Sequence, residues 1–487
     1  MKIYWIILSI CLGSFSSYAQ VFNVKDYGAK GNGIADDTQA VQLAIDACSA
    51  HGGGQVVFPS GIYPTGMVNL KSNIDIWLMR GCRWQAIADL SRYPELKVNS
   101  RSTFIFARNQ KNISIHGDGT IYGSGDAHDV FIPAPGDQNK SPRIYGLLFF
   151  QCSDLNISGI TLKNSAFWML RTDQCDNVQL RNVKVYNHAN FNNDGFDIVD
   201  CHRVIISDCI LDCEDDAICF KSETDRGTVD ATVTNCILSS HASAIKCGTG
   251  SYGAFNRITV SNCVIKPSLV KESFHPMQLF EGLAGIDFSN TDGAKLSNIM
   301  VNNIVIDGVE TPVFIRLGNR NRVYHPELSS ATKTNRTGQV ENITISNIRA
   351  VNVGPVACSV SGFPGAYVKN IHLSNIDITL AKNGSPQDTI TNVPENSDNY
   401  PMSRMFRTNL PAYGFYLRHV KNIILDHVTV RTDKVEARYE LVADDVKNIH
   451  VSDFRADNPG RNMPFIRFSN VLDANLDRSL FKLINQN

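Results

Sequence analysis

The chain of 487 residues carries 46 Lys and Arg against 47 Asp and Glu, a formal net charge of −1, with 43% hydrophobic residues. No basic run stands out, so this balance excludes the electrostatic footprint of a nucleic-acid binder or of a protein held on an anionic membrane surface. Length alone allows two or three domains, but the repeats described below argue for one.

Residues 1–19 read as an export signal: Lys2 opens a short basic region, Ile6 to Phe15 is an apolar run, and Ser17-Tyr18-Ala19 offers a small-x-small cleavage site before Gln20. The run is too short to span a bilayer. Cys11 follows Leu8-Ser9-Ile10, a weak match to a lipidation site because Ile10 is bulky where a small residue is wanted. The expected mature protein, residues 20–487, is exported to the periplasm or the exterior, has no membrane span and acts as a monomer. Its first distinctive stretch, Asp37 to Ala47, places apolar residues at helical spacing behind an acidic start. This predicts a helix that caps the end of a β-rich body.

That body announces itself by repetition. A short strand phrase headed by Asn recurs at Asn112-Ile113, Asn156-Ile157, Asn177-Val178, Asn298-Ile299, Asn342-Ile343, Asn370-Ile371, Asn422-Ile423 and Asn448-Ile449. Neighbouring copies, such as Asn156 and Asn177, Asn342 and Asn370, and Asn422 and Asn448, are all spaced in the twenties. A period of that size with one alternating strand per repeat is the mark of a solenoid. Asn suits the corner, because it tolerates left-handed backbone and a stacked column of amides can bond from coil to coil. The expected fold is therefore all-β, a single-stranded right-handed parallel β-helix with the helix as its N-terminal cap. Of the 13 cysteines, Cys209, Cys236 and Cys263 recur at one equal interval of the same size, which predicts thiols stacked in successive coils and no disulfide framework. The segment from Asn383 to Arg407 is polar, contains Pro and predicts a long surface loop, at the rim of a cleft.

In the middle of the repeats, Asn192-Asn193-Asp194-Gly195-Phe196-Asp197 is followed by Asp215-Asp216-Ala217-Ile218. The interval from Asp194 to Asp215 matches roughly one coil, which brings three carboxylates to about one strand spacing, ~5 Å. Carboxylates so close cannot all ionise cheaply: one is pushed toward the proton-donor state while another stays a base. His241 follows Asp216 by a similar interval, one coil further, where it could bond to a carboxylate. Lys221 could reach substrate oxygens. No Gly-rich phosphate loop or zinc spacing occurs, and His188 and His202 are not expected to form a metal site. No metal or cofactor is expected.

These residues resemble the pectin-degrading glycoside hydrolases of family 28. The opening Val24-Lys25-Asp26-Tyr27-Gly28-Ala29 with Asp36-Asp37-Thr38, continued by Gly53-Gly54-Gln55-Val56-Val57-Phe58, is similar to that of many pectin-active β-helix proteins. Asn192 to Asp197 matches the family's Asn-Thr-Asp-Gly-x-Asp, and Asp215 to Lys221 its Asp-Asp motif with trailing Lys. The resemblance implies Asp215 as general acid, with Asp194 and Asp216 activating water for inversion at the anomeric carbon. It implies Asn192, Lys221, His241 and Lys246 as substrate contacts, and Asp197 as a turn support. The family's Gly-His-Gly survives only as Ser240-His241-Ala242, and its Arg-Ile-Lys falls near Gly285-Ile286-Asp287-Phe288-Ser289, where both cations are lost. Arg316 and Arg320 could replace them. A pectin-type or other acidic polysaccharide is the implied substrate. Two alternatives stay open: a β-helix lyase holding Ca²⁺ on the acids and Glu214, and a glycan-binding solenoid without chemistry. Trp168 could stack on a sugar, though a core aromatic is the plainer expectation.

Overall fold

The computed structural model describes residues 20–96, 101–132, 142–274, 281–324, 336–390, 392–460, 464–477 and 482–485. The expected export signal lies outside them. The strands pair in parallel from coil to coil and wind as a right-handed β-helix with three faces. One coil runs through Phe196–Val199, His202–Ser207 and Ile210–Cys213, and the next through Ile218–Ser222, Thr228–Thr234 and Ile237–Ser240. We call the faces first, second and third in that order.

Stacking of like on like holds the coils together. On the second face Ile299, Ile343, Ile371, Ile423 and Ile449 lie in register, and each is buried. Alternation places their neighbours outward, so one residue of slip would turn the whole apolar ladder to solvent. Removing one such side chain to Ala should cost about 2–5 kcal/mol, because a stacked core cannot collapse sideways into the gap.

The corners are where Asn acts. Asn298, Asn342, Asn370, Asn422 and Asn448 all have φ between 55° and 60°. Each amide from Asn342 on donates to the side-chain oxygen of the Asn one coil back, at 2.8–3.3 Å. The phrase at Asn156 departs from this reading. There the left-handed corner is Asp154 (φ 56°), which accepts from Asn177 at 2.7 Å, while Asn156 sits within the strand opposite Ser114 and Gln179. Asn342→Ala is expected to lower stability by about 1–2 kcal/mol from the left-handed backbone alone, read as a shift in the urea midpoint. An unchanged midpoint would mean that the corner tolerates Ala by relaxing.

The capping helix spans Thr38–Ala50, running past the expected end at Ala47, and buries Val41, Ala44, Ile45 and Cys48. Asp37 does not cap it with its side chain; its carboxylate accepts from the backbone of Lys30 and Gly31 at 2.6 and 3.0 Å and pins the preceding turn. All the described cysteines are free and buried. Cys209, Cys236 and Cys263 each donate to the carbonyl two residues back at 3.2 Å, so they stack as small apolar residues. No helix among the described residues is long and apolar enough to cross a membrane.

The polar segment near Asn383 differs from a simple surface loop. After a short 3₁₀ turn at Pro386–Ile390, residues 392–411 lie down on the outer side of the first face and bury Val393, Met405, Phe406 and Leu410 against Phe314, Tyr416 and Val442. This strap carries its apolar residues irregularly among polar ones, which is why its sequence reads as solvated.

Candidate active site

The first face carries the acids. Asp194 and Asp216 each lie two residues before the first residue of a strand, Phe196 and Ile218, and these are in register, so the acids occupy matching positions on adjacent coils. Gly195 permits this approach: a Cβ there would lie 2.4 Å from the Ala217 carbonyl oxygen and 2.8 Å from Leu211. The Gly195 amide instead donates to the Asp216 carbonyl at 2.9 Å. Carboxylate oxygens of Asp194, Asp215 and Asp216 all fall within 4.8 Å of one another.

Their surroundings differ, and the differences suggest different roles. Asp216 accepts from the Lys246 ammonium at 2.9 Å and from the Ser243 amide at 3.0 Å. Asp215 is the more accessible acid; Asn192 donates to its Oδ2 at 3.1 Å, and its Oδ1 accepts from the Asp216 amide at 3.0 Å. Burial, reinforced by the charge of Asp216, pushes the Asp215 carboxyl up to about 7. Asp194 is buried, and its Oδ1 has no hydrogen-bond partner among the described residues. Burial and the neighbouring Asp197, Asp215 and Asp216 raise it well above the usual carboxylate range. The cluster therefore retains protons near neutrality, as closely packed acids must.

Asp197 is corrected from a turn support to an outward-facing strand residue with the Lys221 ammonium 3.2 Å from its Oδ1. Burial raises its carboxyl to about 7 despite that cation. Lys221 is 7% exposed and lies 4.7 Å from the centroid of Trp168, so it braces the site wall. Trp168 is half-buried outside the main core, beside Phe167 and Tyr145, and not within the solenoid interior. Lys246 and Arg320 each approach the ring of Tyr400 at 5.7 Å, and Arg320 also holds Asp292 at 3.0 Å.

Two expected substrate contacts are placed elsewhere. Arg316 is 1% exposed and donates to Ser361, to the Gly362 carbonyl and to the Glu395 carbonyl, which makes it an anchor for the strap. His241 is fully buried and bonds to Glu214 at 2.8 Å and to the Val270 carbonyl at 3.0 Å. It therefore tunes no member of the acid cluster by direct contact.

Glu214 is the centre of a second buried group that also includes His188 and His241. Burial opposes ionisation of Glu214, but the bonded His241 and the nearby ring of His188, whose Nδ1 lies 3.6 Å away, hold it down at about 2. It also accepts from Ser273 and from the Phe274 amide at 2.9 and 2.6 Å. His241 bridges Glu214 and the Val270 carbonyl while Ser268 contacts His188, so the group ties residues 268–274 to the coil that carries Asp215 and Asp216. The signal was present in the sequence: His188, Glu214 and His241 follow one another at the period of the coils. No such signal marked Tyr400, which arrives on an irregular strap. Arg143 was also missed; it donates to Asn192 Oδ1 at 3.3 Å and so steadies the Asn that bonds Asp215.

A parallel β-helix with abutting carboxylates on one outer face, one of them paired to a buried lysine, is an arrangement suited to acid–base chemistry on a glycan. Comparison with known sequences and structures agrees. Residues 48–403 match the model of the glycosyl hydrolases family 28, and the chain belongs to that family of glycoside hydrolases. It is 27% identical over 370 residues to polygalacturonase QRT2 of Arabidopsis thaliana, covering 73% of this chain and 77% of that one. Among solved structures it is similar to the family 28 exopolygalacturonase of Yersinia enterocolitica, with a TM-score of 0.62 at 17% identity, covering 94% of this chain and 78% of the other. It is likewise similar to an exopolygalacturonase from Thermotoga maritima, with a TM-score of 0.58 at 18% identity over 84% of this chain and 92% of that one. At these identities the two structures speak for the fold.

Proposed function

We propose that the protein is an exported, monomeric hydrolase of a pectin-type polysaccharide, with Asp215 as general acid and Asp194 and Asp216 as the pair that activates water. The observation that carries this reading is three carboxylates from adjacent coils within 4.8 Å, of which Asp216 is ion-paired with a lysine. A carboxyl held near 7 by burial can protonate a glycosidic oxygen at mildly acidic pH. The Asp194 oxygen that lacks a partner among the described residues suits a water molecule. The relatives named above are polygalacturonases, which supports a pectic substrate. Incubation with pectic polymers should release reducing ends without unsaturated, ultraviolet-absorbing product; unsaturated product would favour a lyase and overturn the reading.

Inversion is the stereochemistry proposed. The short separation of the acids favours a second reading, retention, because inverting pairs are generally ~6.5–9.5 Å apart and retaining pairs ~5–5.5 Å. Proton NMR of the first product separates them, since the anomer released before mutarotation is opposite in the two cases.

Asp287 bears on which sugar is accepted. It stands in register with Lys246, accepts from Ser243 at 3.0 Å and from Ser289, and burial raises it to about 6. An acid at this position, with Lys246 already occupied by Asp216, disfavours a carboxylate-bearing sugar beside it. We expect kcat/KM on rhamnogalacturonan fragments to exceed that on plain polygalacturonate by about tenfold or more. Asp287→Asn should narrow that ratio. Faster cleavage of plain polygalacturonate by the wild type would show that other cations receive its carboxylates.

A further inference from the structure

Among the described residues, the outer side of the first face is largely covered. From Phe106 through Arg171, Asp197, Lys246 and Phe314 to Val442, the outward-pointing residues form one register column, and none is more than 9% exposed. A polymer lying along a solenoid needs that column bare over several coils. Here it is covered on both sides of the acids.

On the N-terminal side, Tyr145, Phe150 and Phe167 pack with Phe106 and Leu148 into an apolar cluster, with Trp168 at its margin. On the C-terminal side the strap 392–411 closes the face. Met402 packs on Ala242 and Leu283, directly beyond the catalytic coil, and Met405 and Phe406 pack on Phe314 and Tyr416. The strap is fastened by its backbone as well: the Ser397, Glu395 and Val393 carbonyls accept from the Asn319 amide, Arg316 and Arg418 at 2.6–2.7 Å. Arg404 adds an ion pair to Glu310. Apolar burial and buried cations together make this a fixed wall and not a mobile flap.

Among the exposed residues of the strap is one aromatic beside the acids. Tyr400 is 48% exposed although burial raises its phenol, the combination expected of a ring that lines a concavity. Trp168, also incompletely buried, stands beside Lys221 and Tyr400 beside Lys246. The acids thus sit in a recess flanked by two aromatic side chains, each close to a cation.

We infer that the strap 392–411 ends the substrate cleft beside the catalytic acids, so that a polysaccharide enters by one terminus and is shortened from that end, with Tyr400 as the wall of the recess. This rests on the proposed pectic hydrolase activity and adds its mode of attack. Binding energy then comes from the few sugars that fit the recess, and an altered terminal sugar forfeits it.

The test uses the full-length protein on polygalacturonate and rhamnogalacturonan fragments. Products are sized from the earliest times while viscosity is followed. One short product of constant length with little loss of viscosity is expected. In parallel, fragments with a 4,5-unsaturated non-reducing end and fragments with a borohydride-reduced reducing end are compared with unmodified ones; one of the two blocks should lower kcat/KM by about tenfold or more and so identify the entering end. Tyr400→Ala, which spares the core, should raise KM about tenfold with kcat little changed. A ladder of product sizes with equal cleavage of blocked chains would overturn end-on attack while leaving the hydrolase reading intact. No cleavage of either polymer would overturn the pectic reading and this inference with it.

Discussion

Asp215→Asn is expected to lower kcat by about 10²–10⁴-fold while leaving the fold unchanged, because the amide preserves shape but cannot deliver a proton. The amide can still accept from Asn192, so local geometry survives. A loss below about tenfold would assign the general acid to another residue. The same variant reports on protonation. In the folded protein Asp215 is raised to about 7, above the ~3.9 of an unfolded chain, so it takes up a proton on folding. Its stability contribution is fully present below about pH 4 and is lost as pH rises through about 7. The variant cannot titrate, so its melting temperature relative to the wild type should rise between pH 4 and pH 8. A constant difference across that window would mean that Asp215 is already ionised throughout. The wild-type rate should correspondingly decline above about pH 7, as the acid loses its proton.

Lys246→Met is expected to lower kcat by about 10²–10³-fold, the scale of losing one preorganised charge in a recessed site. The ammonium is buried and lies 2.9 Å from Asp216, and carboxylates including Asp216 and Asp287 raise it well above the usual lysine range despite burial. Without it the three acids lose a close positive charge, so the base takes up a proton and the acidic limb of the pH profile moves upward. Stability should fall as well, by about 3–5 kcal/mol for a buried pair broken on one side. Lys382→Ala provides the contrast: its pair with Glu281 is exposed at 59% and 50%, so it should cost only about 0–1 kcal/mol. Full activity in Lys246→Met would show that Asp216 does not need the cation.

The two variants probe parts of the site that were unequally legible. Asp194, Asp215 and Asp216 could be read from spacing because a solenoid converts distance along the chain into height on the stack, and the step from Asp194 to Asp215 becomes one coil. Lys221 and Lys246 were named through the family resemblance and not through spacing, and neither the ion pair of Lys221 with Asp197 nor its place beside Trp168 could be read there. The rule also held for His188, Glu214 and His241, where the period was present but the group went unrecognised. It failed for Arg316: the residue lies on the right face, yet whether it meets substrate or protein depends on what covers that face, and the strap covers it.

The sequence by itself determined the all-β solenoid, the Asn corners, the stacked thiols, the capping helix and the acid triad, because each is a periodic feature whose neighbours are set by one repeat length. Only the tertiary structure decided that Asp154 replaces Asn156 at a corner, that Arg316 and His241 face protein, and that residues 392–411 close the first face. The reason is physical: backbone pairing propagates from coil to coil and is written in local alternation, whereas a strap of irregular sequence binds through long-range apolar contacts and single hydrogen bonds that no repeat encodes. The triad comes from the repeat, and the recess around it from the strap.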